Sequence, residues 1–169
     1  MSAAQIGEPK DLPLRNGPRP RVYPGPPQHQ LDQLPTEEEW RATRKMFNAW
    51  QTADQGASLR ATPGTLGLFI RDNDDKASPA EAFLLGNEFA HHHPKGDGGL
   101  HLVLPPAWHA ATTQKGWAVS HTLAGQPIVS HLTLLIFAPR DADERDVVRR
   151  LIEVSESFAR GTRMPIGTI

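Results

Sequence analysis

The stretch EFAHHHPKGDGGLHLVLPP, residues 88–106, places His91, His92, His93 and His101, half of the chain's eight histidines, within a few positions of one another. Imidazole titrates near neutral pH and offers a lone pair to a proton or a metal ion, so a cluster of this kind suits general-base catalysis or metal ligation. Side chains alternate faces along a strand, which puts His91 and His93 on one face about 6.6 Å apart and His92 on the other. In the returning strand Leu100, Leu102 and Leu104 share one face, and His101 and Val103 share the opposite one. The loop PKGDGG lets the two strands pair without fixing their register. If His93 lies opposite His101, three imidazoles converge on one face, with Phe89 and Val103 as apolar walls. A slip of one residue breaks the triad and puts His92 beside His101. By strict alternation Glu88 falls on the other face, and it can orient His91 only if the strand bulges or ends nearby. The same triad could hold zinc, iron or another divalent ion and leave an open position for water or oxygen. Glu88 or Asp97 could complete a set of two histidines and one carboxylate.

The elements that must position these groups can be read from pattern. Thr36 followed by Glu39 forms a capping box, and EEEWRATRKMFNAW sets Trp40, Met46, Phe47 and Trp50 near one helical face. ASLRAT and TLGLFI, split by Pro63-Gly64, read as a hairpin. After a polar loop, DNDDKASPAE, short strands are expected at AFLLG, at EFAHHH and at GLHLVLP. Pro106 to Lys115 reads as a helix stopped by Gly116. HLTLLIFA, residues 131–138, is the most apolar strand and is expected to be buried on both faces. DADERDVVRRLIEVSESFARG is an amphipathic helix with Val147, Leu151, Val154 and Phe158 as its stripe and Gly161 beyond it. The plan is α+β, a single domain with a mainly antiparallel sheet and helices packed on one face. The domain spans residues 36–161, with a tail at 162–169. Eight of the 16 prolines fall in residues 1–35, a proline-rich arm that cannot build helix or sheet alone. It is either a flexible tail or an extended arm across the domain, anchored by Val22, Tyr23 and Leu31.

Composition excludes several classes. A chain of 169 residues supports one core. Lysine and arginine number 18 against 19 acidic residues with no block of one sign, so a nucleic-acid partner is not expected. The absence of cysteine removes disulfides, thiolate nucleophiles and cysteine zinc sites. No segment has the apolar length of a membrane span, and the first residues lack a signal-peptide core, so no membrane partner and a cytoplasmic location are expected. There is no Gly-x-Ser-x-Gly elbow, phosphate loop or dinucleotide fingerprint.

EFAHHHP, GGLHLVLP, KGWAVSH and FAPRD, preceded by GPRPRV and QHQLDQ, together resemble the luciferase-like domain family, which comprises fungal bioluminescence luciferases and bacterial relatives of unassigned activity. The likeness runs from about Arg15 to Arg160. It falls on Glu88, His91, His93, Pro94, Gly99, His101, Gly116, Trp117, His121, Ala138, Pro139 and Arg140. Bacterial members usually carry an apolar residue at the position of His92, which implies that this side chain faces the core. The resemblance also implies that the arm packs on the domain. It implies an oxygen-using enzyme that needs no cofactor, with dioxygen as co-substrate adding to an enolisable aromatic or hydroxypyrone through a cyclic peroxide that loses carbon dioxide. His93 or His101 is then the base that removes the enol proton, with Glu88 and His91 beside it. His121 closes the pocket, and Trp117, Arg140 and Phe89 join it in binding a small-molecule substrate. A divalent metal on His91, His93 and His101 is the chemical alternative. A noncatalytic module that encloses a small molecule or peptide is the alternative from another class.

Plainer readings stand beside these. Arg140 could pair with Asp141 or Asp143 at the start of the last helix, and Trp117 could be a core anchor. His109 reads as a surface residue. His29 and His131 read as ordinary hydrogen-bonded histidines.

Overall fold

A computed structural model describes residues 7–71 and 78–162. The tail beyond Thr162, most of the polar loop (72–77) and the first six residues, on which the signal-peptide reading partly rests, lie outside the described residues. Six antiparallel strands form the main sheet: β3 (Asp54–Ala57), β4 (Leu66–Phe69), β5 (Glu88–His92), β6 (Leu100–Val103), β7 (Ala118–Ser120) and β8 (Thr133–Ile136), in the order β3-β4-β5-β6-β8-β7. Helices α1 (Glu37–Asn48), α2 (Pro106–Gln114) and α3 (Ala142–Ala159) complete the α+β domain. Among the described residues, no helix is long and apolar enough to cross a membrane.

Helices α1 and α3 begin where their sequences provide side-chain caps. The Thr36 hydroxyl accepts from the Glu39 amide, and the Asp141 carboxylate accepts from the Glu144 amide. The Glu39 carboxylate binds Arg145 of α3 at 2.6 Å, which ties the two helices together. Met46 and Phe47 of α1 and Val147, Val148, Leu151, Ile152 and Val154 of α3 pack on Leu68, Ala90, Leu100, Leu102, Leu134 and Ile136 of the sheet. Strand β8 is buried along its whole length between β6 and β7. Gly116 follows α2 with φ +83°, a backbone that glycine adopts without cost.

Three local readings are corrected, and one strand that was not anticipated is added. The hairpin partner of β4 is Asp54–Ala57 rather than ASLRAT, because the Ser58 hydroxyl and the Leu59 amide turn to Glu88. AFLLG is not a strand: Ala80–Ala82 forms a 3₁₀ turn, and Leu85 makes only an isolated bridge to Glu88. Residues 118–120, beyond the Gly116 stop, form β7 along β8. The arm does contain sheet, since β1 (Val22–Tyr23) and β2 (His29–Gln30) pair with each other.

The arm lies across the domain, but not through the expected anchors. Tyr23 and Leu31 are exposed and Val22 is only half-buried, whereas Leu12, Arg15, Gln28 and Gln30 are buried. The Arg15 guanidinium reaches Glu144 at 3.3 Å, and its amide donates to the Lys115 carbonyl. Gln30 Oε1 accepts from the Ala138 amide, and Gln28 Nε2 donates to the Ser120 carbonyl. A proline-rich segment has few backbone donors to give, so polar side chains make its attachments.

Candidate functional site

The β5–β6 ladder pairs His91 with His101 and His92 with Leu100, two residues away from the register that faces His93 with His101. A shift of two preserves side-chain parity, so His91, His93 and His101 still share the face away from the helices. His91 Nε2 and His93 Nε2 each lie 3.0 Å from His101 Nδ1. All three rings are buried.

Glu88 reaches the same face through an irregularity. Leu68 pairs with Ala90 but Phe69 pairs with Glu88, so Phe89 is the extra residue of a bulge in β5. Beyond it the alternation resets, and Glu88 Oε1 lies 2.8 Å from His91 Nδ1. The same oxygen accepts from the Ser58 hydroxyl at 2.7 Å, and Oε2 accepts from the Leu59 amide at 2.9 Å. Gly67, opposite His91, leaves this carboxylate its room, because a Cβ there would come within 3.2 Å of Glu88 Oε1 and 2.8 Å of the Phe69 ring.

His93 has its own carboxylate. Asp97 Oδ2 lies 2.6 Å from His93 Nδ1, while Oδ1 accepts the Gly99 amide within the β5–β6 turn. Gly98, with φ +65°, lets that turn close against Pro35 and Trp40. His101 Nε2 faces Gln28 Oε1 at 3.3 Å. The His121 ring stands edge-on to His101 at 4.7 Å, and His121 Nδ1 accepts the Leu123 amide. Neutral His121 therefore carries its hydrogen on Nε2.

Burial holds the His91 pKa below the ordinary 6.5, against the pull of Glu88, and lowers that of His121 as well. His101 falls well below 6.5, from burial first and then from its three histidine neighbours. At pH 7 these rings are neutral.

The imidazoles and Glu88 line a cavity of about 1130 Å³, walled by Pro26, Pro27, Leu84, Leu85, Leu123 and Val129. Leu31, Leu123 and Ile128 at its edge are exposed. His29 also lines it, with its Nδ1 2.7 Å from the Pro27 carbonyl and its ring stacked on Tyr23. The volume suits a molecule of a few fused or linked rings.

Of the residues singled out by sequence, the structure brings together Glu88, His91, His93, His101 and His121. It does not bring Phe89, Trp117 or Arg140 to this cavity. The bulge turns Phe89 into the core, so the expected wall is absent. Trp117 is a core anchor whose indole donates to the Pro13 carbonyl, and it faces a separate hollow with Arg140. Arg140 is ion-paired with Glu144, in the first turn of α3, rather than with Asp141 or Asp143. His92 faces the core between Trp40 and Phe47, with ring centroids 5.9 and 5.4 Å away. His109 is half-buried on α2, and His131 is exposed.

Sequence reasoning missed Gln28 and Ser58 and gave Asp97 no orienting role. Asp97 could have been found, since Asp-Gly-Gly in a hairpin turn signals a carboxylate that caps its own backbone and is held close to the preceding strand. Gln28 carried a weaker signal, as one of two glutamines spaced by two in the proline-rich arm. Ser58 carried none.

The profile of the luciferase domain matches residues 86–155. The luciferase of Armillaria ostoyae is 33% identical to this chain over 173 aligned positions, covering 94% of the chain and 64% of that protein. The luciferase of Armillaria gallica is 32% identical with the same coverage, and that of Neonothopanus nambi is 29% identical over 175 positions. The chain thus spans about 64% of the length of these relatives. No solved structure matches it.

Proposed function

We propose that this chain, whose residues 86–155 match the luciferase domain and which is 33% identical to a fungal luciferase, is a small-molecule oxygenase acting on an enolisable aromatic or pyrone-type substrate, with dioxygen as co-substrate. The observation that supports this most is the floor of the cavity, where three buried imidazoles converge and two of them are backed by carboxylates. An enol gives an electron to dioxygen only after it loses its proton, so the site needs a base matched to neutral pH.

His93 is the best-placed base. Its Nδ1–H donates to Asp97, which fixes the tautomer and leaves the Nε2 lone pair facing the cluster. His101 and His91 supply the neighbouring polar contacts, and Glu88 positions His91. The Nε2–H of His121 is free of the Leu123 contact and serves as a hydrogen-bond donor to a substrate oxygen. The enol form transfers its proton to the base, and the resulting enolate passes an electron to dioxygen before the carbon–oxygen bond forms. The apolar walls and the exposed Leu31 and Ile128 favour a substrate with a flat apolar body and its polar end toward the imidazoles.

The test is oxygen consumption by the full chain across a panel of hydroxypyrones and enolisable phenolics, with binding measured in parallel. Uptake that falls at least about 100-fold in His93→Ala, with substrate affinity kept, supports the reading. Binding without uptake by any member of the panel replaces it with a noncatalytic binding module.

A further inference from the structure

The space between His91, His93 and His101 is short of hydrogens. A neutral imidazole carries one N–H, and its position follows from its partners. Glu88 is an acceptor, so the hydrogen of His91 sits on Nδ1, 2.8 Å from Oε1. Asp97 fixes the hydrogen of His93 on Nδ1 in the same way. The Gln28 amide is oriented by Ser120, to whose carbonyl Nε2 donates, so Oε1 faces His101 Nε2 and takes its hydrogen. All three hydrogens therefore point outward. The lone pairs of His91 Nε2, His93 Nε2 and His101 Nδ1 are left facing one another, at 3.0 Å for both pairs that include His101.

Three converging lone pairs, two of them in contact with that of His101, buried and without a hydrogen between them, call for a cation. We propose that His91, His93 and His101 bind one divalent first-row transition ion, with Glu88, Asp97 and Gln28 holding the three rings in ligating orientation. The proposal deepens the reading of this cluster as the reaction centre and rests on it. The ligand atoms all lie within 4.8 Å of one another. Metal–imidazole bonds of about 2.1 Å at right angles place two nitrogens about 3 Å apart, so the pairs made by His101 already have the spacing of a three-nitrogen face. Histidine ligands that give their second N–H to a carboxylate or carbonyl are the usual outer arrangement of such centres. An all-imidazole set suits iron, copper, nickel or zinc rather than calcium or magnesium. The three rings line the cavity beside His121, and an enol oxygen bound there to such an ion would lose its proton more readily to solvent water in the cavity. With the ion bound the His93 Nε2 lone pair is taken, so the ion, by its charge, replaces His93 as the group that promotes deprotonation.

The test uses the full chain purified without a histidine tag, stripped with EDTA and titrated with Co²⁺, read by visible absorption and by broadening of histidine ring protons. One equivalent is expected, with affinity lowered at least about 100-fold in His101→Ala and about 10- to 100-fold in Gln28→Leu. His92→Phe, one residue away but facing the core, should bind like the parent and controls for folding. Less than a tenth of an equivalent bound by the folded parent, or unchanged binding by His101→Ala, overturns the proposal in favour of a shared extra proton. Oxygen uptake is followed on the same samples. Uptake by a chain that binds no Co²⁺ discards the ion and keeps the oxygenase. One bound equivalent without uptake from any substrate keeps the ion site and discards the oxygenase.

Discussion

Gln28 of the arm and His101 of β6 meet at the bottom of the cavity, with Oε1 3.3 Å from Nε2, although 73 residues separate them in the chain. The contact makes the arm part of the site. Because the Gln28 amide is fixed on its far side by the Ser120 carbonyl, it tells His101 which nitrogen carries hydrogen. Gln28→Leu is expected to leave that carbonyl and the His101 N–H without partners, at a cost of about 1–3 kcal/mol. Oxygen uptake should fall about 10- to 100-fold by the same loss of orientation. Denaturant unfolding and uptake measured on one preparation check both. Unchanged uptake would make the arm a cover only.

Asp97 has two tasks that can be separated. Oδ1 holds the turn through the Gly99 amide, and Oδ2 holds His93. Asp97→Asn can keep the first by presenting its carbonyl oxygen to Gly99, but it then offers His93 Nδ1 an amide donor, which favours the wrong tautomer. The expected result is a turnover loss of about 10²–10⁴-fold, the usual worth of a positioned base, with stability changed by no more than about 1 kcal/mol. Steady-state kinetics beside a melting curve tests this. A loss confined to KM would assign Asp97 to substrate binding.

How far the sequence anticipates this site depends on which forces set each part. The periodic segments of α1, α3, β5, β6 and β8 are legible because alternation or a 3.6-residue stripe follows from one-sided burial. The shared face of His91, His93 and His101 is legible for the same reason, since any even shift of register preserves it. The placement of Glu88 and Phe89 is not, because the bulge that exchanges their faces depends on how β4 pairs alongside. The arm misleads in a similar way. Its apolar side chains Tyr23 and Leu31 stay at the surface, while Arg15, Gln28 and Gln30 go inside to partners about 90 to 130 positions away. No local pattern announces such contacts. Trp117 and Arg140 belong to the family likeness but serve the seam between arm and domain.

That seam has a measurable strength. The Arg15 guanidinium is buried, bound to Glu144 and lying over the rings of Trp117 and Phe137 at 5.9 and 5.4 Å. Glu144 keeps Arg140 when Arg15 is removed. The cost of Arg15→Ala should therefore fall below the 3–5 kcal/mol typical of a broken buried pair, at about 2–3 kcal/mol. Chemical denaturation provides the number. Limited proteolysis should also cut the arm faster in the variant, and equal cutting rates would mean that Arg15 does not anchor it.

His92 gives the fold a pH dependence of its own. Its ring is fully buried between Trp40 and Phe47, and its pKa is pushed well below 6.5, by burial first and by Arg44 next. The unfolded chain takes up a proton at this residue near pH 6.5, while the folded chain resists it until much lower pH. Stability from the neutral ring is therefore complete above pH 6.5 and declines as pH falls toward the folded value. His92→Phe removes the titrating group while keeping an aromatic ring in the same slot. The variant should gain on the parent progressively from pH 7 to pH 5, and the difference should be flat above pH 7. His91 and His101 are present in both chains, so the difference isolates residue 92. Melting temperatures in EDTA across that range decide the matter, and parallel curves for the two chains would show that His92 is protonated as easily inside the fold as outside it.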